Sequence, residues 1–416
     1  MYVREPIVFE DDPVFALGRE AAARIASGLP CINATVGVLV DDAGQLMILP
    51  TVAEVLRQAR PQEWVPYAAT TGAFGFCDAV LDEVLQNRPE LREHALAFAT
   101  PGATGAIGGA LKIFLGRGES ALTSSFCWSA YHIIARAADR GMVAFDMFES
   151  DHARFHVEAF ERRLDELLGR QGRAVVLLND PCHNPTGYSM STGDWRDVAD
   201  VLRRHCARGP ITVILDAVYA AFSSTGVNTA LHALEPLADD ILIAIAWSAS
   251  KSFTSYGLRV GALVAIASGR VTRTRIRDSI ALHCCGTWAN CNHGAMLAVT
   301  RMLREPALLG AVERERREVI GLLDARARLF AQAKNKLVQP AYSGGFFTSV
   351  FVDNAAQVAA RLRTDGVYVV PLDGALRVAL SSVKSSDVAR MVATLEAQSF
   401  YDSSEIGSQL VNAHGL

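Results

Sequence analysis

The chain carries no large excess of charge of either sign. Its 40 Lys and Arg against 44 Asp and Glu leave a formal net charge of −4. That excludes the electrostatic footprint of a nucleic-acid or anionic-lipid binder, so neither partner is expected. No apolar run reaches transmembrane length. The opening MYVREPIVFEDDPVFALG is acidic and broken by proline, unlike a secretory signal, and the expected compartment is the cytoplasm. The eight cysteines never form a CxxC pair, and without an export signal they read as reduced thiols. Cys284, Cys285, Cys291 and His293 lie close in sequence, but their spacing does not support a metal site, and no metal is expected. Internal repeats and low-complexity tracts are missing as well. Hydrophobic residues are plentiful. They make up half of the 416, enough for a large core and for more than one compact domain.

Apolar runs at ALAFAT (95–100), AVVLLN (174–179), ITVILDA (211–217), DILIAIAW (240–247) and GALVAIA (261–267) do not alternate with polar residues. Such runs are strands covered on both faces. Helical stretches follow several of them: AIGGALKIFLG (106–116) carries most of a helix expected at 105–115 after a PGATG turn, and TGDWRDVADVLRRHCARG ends on a glycine stop. Strands alternating with helices predict an α/β fold with a mostly parallel mixed sheet. The last third differs. A charged amphipathic helix over 313–336 precedes a strand at FFTSVFV and a helix at NAAQVAARLRTDG. Strands at VYVVPL and LRVAL follow, then a final helix with Val388, Met391, Val392 and Leu395 on one face. That pattern is a smaller α+β domain. The expected division is 1–48 and 311–400 for the smaller domain, 49–310 for the larger, and a loose tail at 401–416.

Ligands of α/β sheets bind at the carboxyl ends of strands, and those ends carry the reactive side chains. Ala103 and Thr104 lie in the glycine turn after ALAFAT. Asn184 lies in the loop after AVVLLND. Asp216 ends ITVILD, with Tyr219 one turn on, and Ser248, Ser250 and Lys251 follow DILIAIAW. The start of the 105–115 helix favours a phosphate, and Thr104, Ser248, Ser250 and Arg259 complete an anion cup. Asp216, at the end of a buried strand, needs a cationic partner such as a protonated pyridine nitrogen. Lys251 can form a Schiff base with an aldehyde. Phosphate, pyridinium and aldehyde together describe pyridoxal 5'-phosphate. The rival reading of GATGAIGG, a dinucleotide fingerprint, lacks the acidic residue about 20 positions on that a ribose contact needs.

Four motifs in order resemble the aspartate aminotransferase superfamily, the fold type I pyridoxal-phosphate enzymes. They are GVLVDDAGQLMILPTVAEVL, CHNPTG (182–187), DAVYAAF (216–222) and SASKSFTSYGLRVG (248–261). The resemblance covers most of the chain and implies a role for each matching residue. Lys251 carries the cofactor and moves the proton, and Asp216 pairs the ring nitrogen. Tyr219 and Asn184 bond the ring hydroxyl, and Trp128 stacks on the ring. Arg377 binds the substrate α-carboxylate, and Val36 and Gly37 close over the substrate. It also implies a homodimer with shared active sites.

Two departures concern the substrate. The arginine with which the family's aspartate enzymes grip a side-chain carboxylate falls within ALHCCGTWANCNHGA (281–295), at or near Cys284. A buried carboxylate finds no such charge there, although His283 offers a weaker cation. Trp64 stands where the family has a phosphate-reaching tyrosine, with Tyr67 nearby. Trp64, Tyr67, Trp288 and the cysteine-rich loop point to an aromatic or apolar side-chain pocket. The favoured reading is an aminotransferase for an L-amino acid, not specific for aspartate. The alternative keeps the cofactor and performs β- or γ-elimination or replacement, for example on S-adenosylmethionine. A third reading, a regulator of this fold without turnover, fits poorly with the acidic charge.

Overall fold

The structure is a computed structural model that describes residues 13–86, 88–150, 152 and 154–400. The tail expected at 401–416 lies outside the described residues. The chain forms two compact units. The larger comprises Leu46–Leu323 and Pro340–Phe347. The smaller comprises the described residues of Met1–Gln45, Asp324–Gln339 and Thr348–Leu416.

Among the described residues twelve strands follow in chain order. They are β1 (Ile32–Asn33), β2 (Ala95–Thr100), β3 (Ser120–Ser124), β4 (Gly141–Phe145), β5 (Ala174–Asn179) and β6 (Ile211–Asp216). Then come β7 (Leu242–Ser248), β8 (Gly261–Ile266), β9 (Phe347–Phe351), β10 (Val367–Tyr368), β11 (Val370–Leu372) and β12 (Ala375–Ala379). The larger unit is built on one seven-stranded sheet of order β2-β8-β7-β6-β5-β3-β4. Every pairing in it is parallel except those of β8, which runs antiparallel to both β2 and β7. Every residue of β5, β6 and β8 is buried, which explains their lack of alternation.

The helix after β2 runs Gly102–Phe114, three residues earlier than its apolar pattern indicates. Gly102, at φ +71°, makes the turn part of the helix start. The Thr192–His205 helix opens with a reciprocal cap. Ser191 Oγ accepts from the Asp194 amide at 3.1 Å, and the Asp194 carboxylate accepts from the Ser191 amide at 2.8 Å. Its buried face is Trp195, Val198, Ala199, Val201 and Leu202. The long charged helix spans Pro306–Ala333, not 313–336. Proline at its start supplies a preset φ and removes a donor the first turn cannot use.

In the smaller unit β1 pairs with β10 in parallel, and β11 with β12 antiparallel in the sheet β11-β12-β9. The Ser385–Ser399 helix buries Val388, Met391, Val392 and Leu395, the face its sequence marks. Arg326, fully buried, ties the unit together. Its two terminal nitrogens donate to the Val40, Leu380 and Ser381 carbonyls and to the Asp42 carboxylate, at 2.8–3.3 Å.

Candidate active site

Strand register places the reactive residues in one row. Asn179 is opposite Asp216, Asp216 opposite Ala246, Ser248 opposite Gly261, and Gly261 opposite Thr100. The carboxyl ends of β2, β5, β6 and β7 therefore form a single edge of the sheet, where α/β proteins bind ligands.

At the β2 end of the row lies an anion cup. Gly102 and Gly261 let two backbones approach closely: a Cβ on Gly261 would stand 2.7 Å from the Gly102 Cα. A Cβ on Gly102 would stand 2.6 Å from Arg259 Nη2. The guanidinium thus sits directly over the start of the Gly102–Phe114 helix. It is held there by donating to the Tyr256 carbonyl at 3.0 Å and the Pro101 carbonyl at 3.3 Å. Ser248 Oγ accepts from the Ser250 amide at 3.1 Å and donates to Ser250 Oγ at 3.0 Å. Ala103 is buried and Thr104 exposed in the first helical turn. Helix amides, an arginine and two serines suit a phosphate dianion.

At the centre of the row is Asp216, 4% exposed. Its Oδ2 accepts from the Tyr131 hydroxyl at 2.5 Å and its Oδ1 from the Val218 amide at 3.3 Å. Burial pushes the carboxyl up to about 6, against the opposing pull of those two donors. Asn179 spans the strand ends, donating to the Asp216 carbonyl at 2.8 Å and accepting from the Asn184 amide at 2.6 Å. In the same loop His183 bonds Thr186 at 2.8 Å, and burial pulls it down to about 3, so it is neutral and structural. The Trp128 ring stands edge-on to that of Tyr131, with centroids 5.7 Å apart.

Lys251 emerges among aromatic faces. Its Nζ lies 4.6 Å from the centroid of Tyr256, 5.3 Å from Phe346 and 6.0 Å from Tyr219. Phe346 in turn packs on Tyr219 at 5.2 Å. The sequence reading missed Tyr131, Asn179, Tyr256 and Phe346. The signal for Phe346 is the SGG before it, where Gly344 and Gly345 take left-handed φ values of 124° and 84° and mark a turn.

The residues expected to hold substrate belong to the smaller unit. There Arg377, 5% exposed, donates from Nη2 to the Thr35 carbonyl at 2.6 Å, and the Val36 carbonyl accepts from the Val38 amide at 2.9 Å, beside Gly37.

The cysteine-rich segment is not a charged pocket. Cys284 is buried, with Sγ 4.0 Å from the Ala99 carbonyl, and burial pushes its thiol up to about 11. His283 is corrected as a candidate cation. It lies edge-on to Trp288 at 5.1 Å, and its ring would meet a Cβ placed on Gly109. Burial, then Lys112, pull its pKa down, so it is neutral at pH 7. Trp288 packs against the core cluster of the larger unit. Trp64 and Tyr67 stay exposed, at 47% and 90%. All eight cysteines are free. Among the described residues no group of three His, Cys, Asp or Glu could hold a metal ion, and no helix is long and apolar enough to cross a membrane.

The family model for class I and II aminotransferases matches residues 30–395. The chain belongs to that family. As a class I and II aminotransferase it is a pyridoxal-phosphate-dependent transferase. It is 28% identical over 378 residues to an aspartate aminotransferase of Pseudomonas aeruginosa, covering 86% of this chain and 90% of that one. It is 26% identical over 369 residues to a tyrosine aminotransferase of Rhizobium meliloti, covering 86% and 91%. An aminotransferase structure from Anaerococcus prevotii superposes with a TM-score of 0.90 at 28% identity, over 96% of this chain and 99% of that one. The larger unit fits the family's cofactor: the cup suits its phosphate, the buried carboxylate its ring nitrogen, and the lysine its aldehyde.

Proposed function

We propose that this aminotransferase takes the amino group of an L-amino acid other than aspartate, with Lys251 as the lysine that carries the cofactor. The observation behind this reading is the single row of Arg259, Asp216 and Lys251 along one sheet edge. When bound, pyridoxal phosphate supplies an electrophilic carbon and an electron sink. The cup residues Thr104, Ser248, Ser250 and Arg259, with the Ala103 amide, anchor its phosphate. Asp216 keeps a positive charge at the ring nitrogen, while Asn184 and Tyr219 donate to the ring hydroxyl and Trp128 covers one face. With the cofactor bound, Lys251 would take the proton from the substrate α-carbon and return it on the other side of the substrate nitrogen, two atoms away. Arg377 receives the α-carboxylate as a forked pair, and Val36 and Gly37 exclude water. These roles for Trp128, Asn184, Arg377, Val36 and Gly37 rest on their motifs.

The side-chain preference follows from what is missing. A neutral His283 and a buried Cys284 thiol offer no cation to a second carboxylate. Exposed Trp64 and Tyr67 favour an aromatic or apolar side chain. A homodimer with shared sites and a cytoplasmic location complete the proposal.

The test loads the protein with cofactor and adds a panel of amino acids, S-adenosylmethionine included, without a keto-acid acceptor. One equivalent of keto acid per site, from an aromatic or apolar donor, is the expected result. Continuous turnover with release of a leaving group would replace transamination with elimination or replacement. Stoichiometric conversion by aspartate alone would overturn the substrate assignment.

A further inference from the structure

We propose that Tyr131 is a positioning residue for this reaction: by donating to Asp216 Oδ2, its hydroxyl fixes on which side of the Asp216–ring-nitrogen contact the proton rests. The inference rests on Asp216 facing the cofactor's ring nitrogen, as put forward above.

Tyr131 is completely buried in the Ala130–Ala137 helix. Its 2.5 Å bond to Oδ2 joins two buried groups, so no water competes for either partner. It is also the shorter of the carboxylate's two bonds, the other being the Val218 amide at 3.3 Å. The phenol can only be the donor. Burial, followed by the nearby Asp216 charge, raises its pKa well above the ordinary value.

The surroundings offer the carboxylate little else. Cys127 and Tyr219 are the other titratable groups that act on Tyr131. Burial pushes the Cys127 thiol up to about 11, so it is neutral. The Lys251 Nζ lies 6.0 Å from the centroid of the Tyr219 ring. From β5, the Asn179 amide binds the Asp216 backbone carbonyl and not its carboxyl. The apolar cluster that holds Tyr131 adds Ala106, Ile107, Ala110, Ile214 and Ala246.

An acid and a pyridine in contact share one proton, in a charged or a neutral arrangement. Burial alone favours the neutral pair, with the proton on oxygen. A charge-assisted O–H···O⁻ bond favours the charged pair, with the proton on nitrogen. Tyr131 supplies that bond, and the protonated ring is the one that withdraws electrons from the α-carbon. The residue acts on the reaction through Asp216, without touching substrate.

The experiment loads the protein with pyridoxal phosphate labelled with ¹⁵N in the ring and reads the nitrogen's chemical shift. In the unchanged protein the nitrogen is expected to be protonated. In Tyr131→Phe the ratio of protonated to unprotonated nitrogen falls by about tenfold, the loss of one hydrogen bond to a charged group. An unchanged shift in that variant, with circular dichroism showing a folded protein, overturns the inference while leaving the role of Asp216 intact. An unprotonated nitrogen in the unchanged protein overturns the role of Asp216 and this inference with it. Should Tyr131→Phe fail to fold, 3-fluorotyrosine placed at position 131 alone keeps the ring and strengthens the donor. The nitrogen signal then moves toward the fully protonated value, and no movement overturns the inference.

Discussion

Arg326 in the smaller unit and Asp216 in the larger are both buried charged residues, and they are treated in opposite ways. Arg326 is fully enclosed and makes four hydrogen bonds, three of them to backbone carbonyls. Asp216 accepts two, from Tyr131 and Val218, and its pKa rises to about 6. A carboxylate can accept about four. Both terminal nitrogens of the first charge are bonded by its own chain, and only its buried Nε is left without a partner. The second keeps capacity for a cation that the chain does not supply. A buried charge left with half its bonding capacity at the edge of a sheet therefore points to a ligand, and one bonded mainly to its own backbone points to architecture.

The comparison breaks most visibly at Arg326. Arg326→Met keeps most of the volume but leaves the Val40 carbonyl without its donor and removes one of two donors from the Leu380 and Ser381 carbonyls. The expected cost is about 2 to 3 kcal/mol of stability, read as a lower denaturant midpoint. A loss below about 1 kcal/mol would mean the node is not structural.

Asp216→Asn should have effects of opposite sign on activity and stability. Amino-group transfer falls on the order of 10²–10³-fold, because the ring nitrogen loses its counter-charge. The cofactor-free protein becomes more stable. A carboxyl raised from 3.8 to about 6 contributes stability that is complete below 3.8 and is lost as pH rises through about 6. At pH 8 the variant should therefore exceed the unchanged protein by about 3 kcal/mol, and the gap should close near pH 4. Denaturant titrations of both proteins at the two pH values decide it. A variant less stable at pH 8 would place Asp216 with Arg326 as a structural charge.

The two regions also differ in how far the sequence reveals them. Asp216, Lys251, Ser248 and Arg259 stand at the ends of apolar runs, where a polar residue is conspicuous, so their row along the sheet edge can be read from the chain. Tyr131 cannot. It sits inside AYHIIARA, where its ring looks like ordinary core, and its partner lies 85 residues away. Phe346 is hidden for another reason. It directly precedes the β9 strand, which from Thr348 on belongs to the smaller unit, yet Pro340–Phe347 falls in the larger unit. The helix starts at 102 and 306 were displaced because glycine and proline act there through backbone geometry, which hydrophobic periodicity does not register.

Gly102→Ala sharpens the comparison at the cup. The residue holds φ +71°, and its new Cβ would stand 2.6 Å from Arg259 Nη2. Strain of about 1–3 kcal/mol, and a displaced guanidinium, should weaken cofactor binding by roughly tenfold to a hundredfold. Equilibrium dialysis against pyridoxal phosphate measures it. An unchanged affinity would remove the cup from the phosphate site.

The smallest effect is expected at Phe346, whose ring is one of three facing the Lys251 amine. Lysine is positively charged while it holds the proton taken from the substrate α-carbon, and an aromatic face stabilises that charge by about 0.5–1 kcal/mol. Phe346→Leu keeps the site apolar and removes the π face. The single-turnover rate should therefore fall by about two- to fivefold, with substrate affinity unchanged. Tyr256 lies closer to the amine, so Tyr256→Leu should lose more than Phe346→Leu. If the order of the two variants is reversed, Phe346 acts by holding Tyr219 in place, through the 5.2 Å contact of their rings, and not by facing the lysine.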